Sequence, residues 1–238
     1  MDGTVFYLGG ASYPADRQVE DVLRARFVAE GASFVGHREV LGQGSGQGRG
    51  ASVEEMVAAL RRVVTRRRGD GPAILAGRSS GAHAATLFAA ERPVTAVVCY
   101  GYPFKNPSFV LQPGRFAHLA ALTTPTLILQ GMRDVYGGLG LTEDYALSPA
   151  VGLHFFDGSH EADFDAPGCA HLPDLIVNFA SGGWRSPGHR GARFDEADYL
   201  ARHPDVAAAV AEGRFRSGAD HFQRLGRDEG RRFRLLPK

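Results

Sequence analysis

The chain has 238 residues, enough for one large domain or for a medium domain with an appendage. With 44% hydrophobic and 22% charged residues it has the make-up of a packed globular protein, and a chain of this length can bury its core without disulfides or metals. A net charge of +1 supplies no general pull toward nucleic acid or an anionic membrane, so neither is expected as a partner.

The first apolar run is only about five residues long and has no basic lead, so it does not read as a signal peptide. No stretch approaches the roughly 18 apolar residues of a membrane span. A soluble, cytoplasmic protein is the expectation. Cys99 lies in an apolar run and reads as a structural thiol; with Cys169 it makes no disulfide framework.

In chain order, Val5, Phe6, Tyr7 and Leu8 predict a buried strand closed by Gly9 and Gly10. Asp16 is placed to cap a helix carrying Val19, Val22, Leu23 and Phe27 on one face, with Gly31 as its stop. Residues 33–40 predict a second strand. A glycine-rich loop follows over 42–50. Ser52 and Glu55 have capping-box spacing, and Val53, Met56, Val57, Leu60 and Val63 continue at helical period. Arg61, Arg62, Arg66, Arg67 and Arg68 crowd the end of that helix, where its dipole favours cations.

Strands are then expected over 73–76, 94–100, 126–130 and 151–156, with helices over 80–90 and 172–179. Alternation of strands and helices predicts an α/β fold: a mostly parallel sheet of about six strands with helices on both faces. Functional groups in such a sheet gather in loops at the carboxyl ends of the strands. After Trp184 the character changes. The expected division is a domain over 1–185, a linker over 186–191 and a small all-helical module over 192–238, with helices near 196–212 and 218–225 and no strand signal.

Gly77, Ser79 and Gly81 form G-x-S-x-G between an expected strand and helix, the context that gives the motif meaning. A nucleophilic serine must stand on a turn so tight that its neighbours two residues away can carry no side chain. The hydroxyl also needs a base, and the base an orienting acid. His160, after the strand ending at Phe156, suits the base. Asp134, after the strand ending near Gln130, suits the acid, and the order Ser, Asp, His is the expected one.

Each residue has a plainer reading, as a turn serine, a capping aspartate or a surface histidine. His83 and His154 compete for the base role. Asp157, His160, Glu161, Asp163 and Asp165 form an acidic cluster without metal-ligand spacing, so no metal is expected. Gly46, Gly48 and Ala51 formally fit a dinucleotide fingerprint, but the turn is too long and no acidic residue ends the next strand; no cofactor is expected.

Three segments together carry a resemblance: Gly77 to Gly81, Leu129 to Asp134, and Phe156 to His160. Over roughly residues 3–182 the chain resembles the α/β-hydrolase family. It is similar to the small, cap-less, dienelactone-hydrolase-like branch. The resemblance implies a Ser79–His160–Asp134 triad. It also implies an oxyanion hole of backbone N–H groups from Ser80 and from Gly10 or Ala11. Relatives often have His-Gly where this chain has Gly9 and Gly10.

Tyr102, Phe104 and Phe109 are expected near the active-site face, either as an apolar pocket that with His83 touches substrate or as core or surface packing. The implied reaction is hydrolysis of a small ester or thioester through an acyl-enzyme. Two alternatives remain open: acyl transfer to an alcohol or amine, and a non-catalytic protein that binds a partner or a second copy through residues 192–238. That tail resembles a short helical motif appended to varied bacterial proteins.

Overall fold

A computed structural model describes residues 1–42, 50–67, 69, 71–106, 112–137, 145–161, 163–166, 169–182, 193–226, 229, 231, 233, 235 and 236. Most of the glycine-rich loop, Arg68, Phe109, Trp184 and the expected linker lie outside them.

Six parallel strands form one sheet: β1 (Thr4–Leu8), β2 (Ser33–Val35), β3 (Ala73–Arg78), β4 (Ala96–Tyr100), β5 (Thr126–Gly131) and β6 (Val151–Phe156). Their order across the sheet is β2-β1-β3-β4-β5-β6. The chain first moves outward from β1 to β2, then returns past β1 to β3. The winding direction therefore reverses between β1 and β3, which opens a crevice at their carboxyl ends.

Residue alternation sorts the core into two layers. Phe6 and Leu8 of β1 and Leu75 of β3 face α3 (Val53–Arg67) and α4 (Ser80–Glu91). Val5, Tyr7, Ile74 and Ala76 face α1 (Gln18–Ala29) and α5 (Leu172–Ala180). Each fully buried Leu or Phe in these layers contributes about 1.5–3 kcal/mol of transfer free energy. The capping box opens α3 as expected: Glu55 N–H donates to Ser52 Oγ at 3.2 Å, and Ser52 N–H to Glu55 Oε2 at 2.7 Å.

Three local expectations are corrected. Asp16 does not cap α1; its carboxylate is buried and accepts from Arg78, a tertiary partner that outweighs the local cap. The second strand stops at Val35, and α2 (His37–Leu41) replaces its second half. There Glu39 accepts from Gly36 N–H at 2.9 Å, and Glu20 from His37 N–H at 3.3 Å, so the helix start is satisfied by carboxylates that strand alternation does not reveal.

The third correction concerns the C-terminal module. It holds α6 (Glu196–Arg202), α7 (Pro204–Ala211) and α8 (Gly218–His221), the last running into a π turn over Phe222–Gly226. The expected single helix over 196–212 is broken at Pro204, which cannot donate to the preceding turn. The module also has a two-residue antiparallel ladder, β7 (Arg193–Phe194) with β8 (Leu235–Leu236), too short to leave a period in the sequence. Phe194, Tyr199, Val206 and Phe222 form a hydrophobic cluster there, against which Met132 and Phe155 pack.

Candidate active site

Ser79 sits between the end of β3 and the first residue of α4, with φ +51° and ψ −120°. It is the one non-glycine residue with positive φ among the described residues. Such a conformation costs on the order of 1–3 kcal/mol and persists only where surroundings enforce it. Here they do. Ser79 N–H donates to the Tyr100 carbonyl at 3.0 Å. A Cβ on Gly77 would meet the Gly81 carbonyl at 2.5 Å, and one on Gly81 would strike the Leu8 and Gly9 carbonyls. The two motif glycines let α4 start directly against β1 and β3.

The structure brings Ser79, His160 and Asp134 together. Ser79 Oγ lies 3.1 Å from His160 Nε2, and His160 Nδ1 lies 2.9 Å from Asp134 Oδ2. Asp134 is fully buried and His160 is 9% exposed, so the pair is withdrawn from water while the serine remains half-buried. Asp134 follows the β5 end, where its N–H donates to the Gly131 carbonyl at 3.1 Å. Tyr136 packs its ring against His160, with centroids 4.4 Å apart. Gly101, at φ +60°, passes beneath: a Cβ there would meet His160 Nδ1 at 3.2 Å.

Several partners escaped the sequence analysis. Gln130, fully buried, donates from Nε2 to Asp134 Oδ2 at 2.7 Å and to the Gly137 carbonyl at 3.0 Å, while its Oε1 accepts from Tyr102 N–H at 2.9 Å. Tyr136 N–H donates to Asp134 Oδ1 at 2.8 Å. Both carboxylate oxygens are thereby held, which fixes the face offered to the imidazole. The available signal was a polar residue ending an otherwise apolar strand. Arg78 carried a similar one, as a charged residue inside a run buried on both faces.

Gly10 is buried against Ser79; a Cβ there would lie 3.1 Å from Ser79 Cβ. Gly9 N–H donates to His37 Nδ1 at 2.9 Å, and the Gly10 carbonyl accepts from Tyr13 N–H at 3.1 Å, so the loop after β1 is pinned on both sides of Gly10. Burial holds the His37 ring below the usual histidine range, which suits an acceptor nitrogen at this position. Ser80 opens α4, and Ala11 is exposed at the loop's rim.

Tyr102 and Phe104 do not line a substrate surface; both are 0% exposed. Tyr102 Oη donates to the Arg115 carbonyl at 2.6 Å, and its ring packs on Phe104, which in turn packs on Tyr145. Aromatics after a strand went inward because the segment over 112–121 folds back across them. His83 is half-buried, with Nε2 3.3 Å from the Gly114 carbonyl and its ring stacked on His118. His154 pairs with His171, Nε2 to Nε2 at 3.4 Å, and takes no part in the Ser79 cluster.

The acids near His160 are engaged singly: Asp157 with Arg133, Glu161 with Arg78, and Asp163 with the backbone N–H groups of Asp165 and Ala166. Among the described residues no three metal-ligating side chains gather in one place. Cys99 and Cys169 are buried free thiols. Among the same residues no helix is long and apolar enough to cross a membrane.

Residues 42–167 match the model of a family described as an alpha/beta hydrolase domain. No curated protein matches the chain. Among solved structures, an alpha-beta serine hydrolase homologue from Coxiella burnetii is similar at 21% identity and a TM-score of 0.55, over 74% of this chain and 84% of that one. The esterase domain of a Rhodothermus marinus protein is similar at 16% identity and a TM-score of 0.56, over 75% and 86%. An esterase from Exiguobacterium antarcticum is similar at 14% identity and a TM-score of 0.54, over 75% and 91%. At these identities the likeness is one of fold.

Proposed function

The chain belongs to the α/β-hydrolase family, and from that premise we propose that it is a serine hydrolase that cleaves a small ester or thioester through an acyl-enzyme. The observation that carries this reading is the unbroken line Ser79 Oγ, His160 Nε2, His160 Nδ1, Asp134 Oδ2, with spacings of 3.1 and 2.9 Å at its two hydrogen bonds.

In the first half-reaction Ser79 Oγ attacks the carbonyl carbon as His160 Nε2 takes the hydroxyl proton. The carbonyl π pair moves onto oxygen, facing the N–H groups of Ser80 and of Gly10 or Ala11. The tetrahedral species collapses, the bond to the leaving alcohol or thiol breaks, and His160 returns the proton to it. Water then repeats the sequence on the acyl-enzyme, releasing a carboxylic acid and restoring Ser79. Asp134 holds the imidazole in the tautomer that bears the proton on Nδ1. Each oxyanion donor of this kind is worth roughly 10²–10³ in rate.

Small substrates are favoured by the connection between β4 and β5, whose described residues hold only two 3-10 turns, Pro113–Arg115 and Ala117–Ala120, and no helical lid. That is the arrangement expected of the cap-less, dienelactone-hydrolase-like branch.

A fluorophosphonate probe tests the reading. The wild-type protein is expected to gain one covalent adduct, mapped by mass spectrometry to Ser79, and Ser79→Ala none. Equal labelling of the two would remove Ser79 from the mechanism.

A further inference from the structure

Arg78 stands next to the nucleophile, yet it is 1% exposed. A buried guanidinium is rare and costly unless its donors are used. Here two arms are used on two different loops. Nη1 donates to Asp16 Oδ2 at 2.5 Å and to Ser12 Oγ at 3.2 Å, both in the segment between β1 and α1. Nη2 donates to the backbone carbonyl of His160 at 3.3 Å and to Glu161 Oε2 at 3.0 Å. One planar group thus ties the loop that carries Gly10 to the loop that carries the histidine.

The tie reaches the reacting atoms through Gly10. A Cβ built there would lie 3.1 Å from Ser79 Cβ, 3.2 Å from Arg78 Nη1 and 3.3 Å from Asp16 Oδ2. The Arg78–Asp16 pair is therefore the surface on which Gly10 rests beside the serine. Catalytic groups must be held to fractions of an ångström, and a displacement of about 1 Å can cost about 10²-fold in rate.

We propose that Arg78 is a positioning residue: its guanidinium sets the separation between the oxyanion loop at Gly10 and the imidazole of His160. This rests on the reading of Ser79 and His160 given above. A purely structural ion pair would leave a different signature, and the double variant Arg78→Met/Asp16→Leu separates the two. It removes both buried charges together, an exchange that is commonly neutral or stabilising for a fold.

The experiment follows hydrolysis of p-nitrophenyl acetate, with thermal melting measured in parallel. The double variant is expected to melt near the wild-type temperature, with kcat lowered on the order of 10²-fold and KM little changed. Arg78→Lys keeps the charge and can hold Asp16, but its single ammonium cannot fork between the two loops. A kcat loss of about tenfold at near-normal melting temperature is expected for it.

Wild-type kcat in either variant, or losses that only track melting temperature, would overturn the proposal. If the double variant does not fold, the lysine variant decides. Ser79→Ala runs alongside: turnover there at the wild-type rate means the nucleophile reading has failed, whereas a dead Ser79→Ala beside fully active Arg78 variants sinks the clamp alone.

Discussion

The two ends of the sheet are built from the same six parallel strands and have opposite characters. At the amino ends a groove of about 860 Å³ opens among Pro72, Ile74, Ala96, Pro125, Pro149 and Phe179. Its prolines stand where the chain enters β3, β5 and β6, positions that need no ladder donor. At the carboxyl ends the backbone is strained at Ser79, glycines have positive φ or admit no side chain, and buried polar groups converge. Concave apolar space alone would point to the first end as a binding site. The direction of the strands and the winding reversal between β1 and β3 point to the second. Volume marks where a ligand could fit; convergent, partnered polar atoms mark where chemistry could occur.

Substitutions at the two ends test this contrast. Asp134→Asn should have the largest effect, since the amide favours the wrong imidazole tautomer: kcat should fall on the order of 10⁴-fold with the fold intact by circular dichroism. Gln130→Leu comes next. It removes one donor to Asp134 and strands Tyr102 N–H, so a loss of about 1–3 kcal/mol in denaturant stability is expected together with a lower kcat.

Acid sensitivity should also enter beside α4, where the His118 ring stacks on His83. Burial, followed by the neighbouring His83, pushes His118 down to about 4. Between pH 6.5 and about 4 the unfolded chain therefore binds a proton at this position that the native protein does not, so native stability falls as pH drops through that window. His118→Gln should melt with a shallower pH dependence there, by on the order of a few degrees. Among the described residues no histidine lines the opposite groove. Ser181→Ala, at the rim of that groove, should be the smallest change: kcat within about twofold and stability within about 0.5 kcal/mol. A tenfold kcat loss from Ser181→Ala would break the contrast between the ends.

What the sequence made legible follows the range of the forces involved. The β3–Ser79–α4 unit was readable because a local steric demand fixes Gly77 and Gly81. Asp134 and His160 were readable as positions, since each follows a clear apolar strand. The roles of Arg78 and His37 were not, because their partners Asp16 and Gly9 lie 62 and 28 residues away; Gln130 showed only its polarity, since its pairing with Asp134, four residues on, depends on how the turn after β5 folds. Asp16 was misread for the same reason: its local capping potential was overridden by a buried guanidinium. Tyr102 and Phe104 were placed on the correct connection, but the choice between pocket and core was left open, because it depends on how that connection folds back.

The module's contact with Met132 and Phe155 falls beside β6, an outer strand of the sheet. An outer strand presents unpaired backbone donors and acceptors, and apolar side chains next to them invite a strand from a second molecule. Phe194 and its neighbours lie over those side chains, so shortening the chain before residue 193 would uncover a sticky seam. Loss of the tail would then be felt first in colloidal behaviour, as self-association through β6, and only afterwards in turnover.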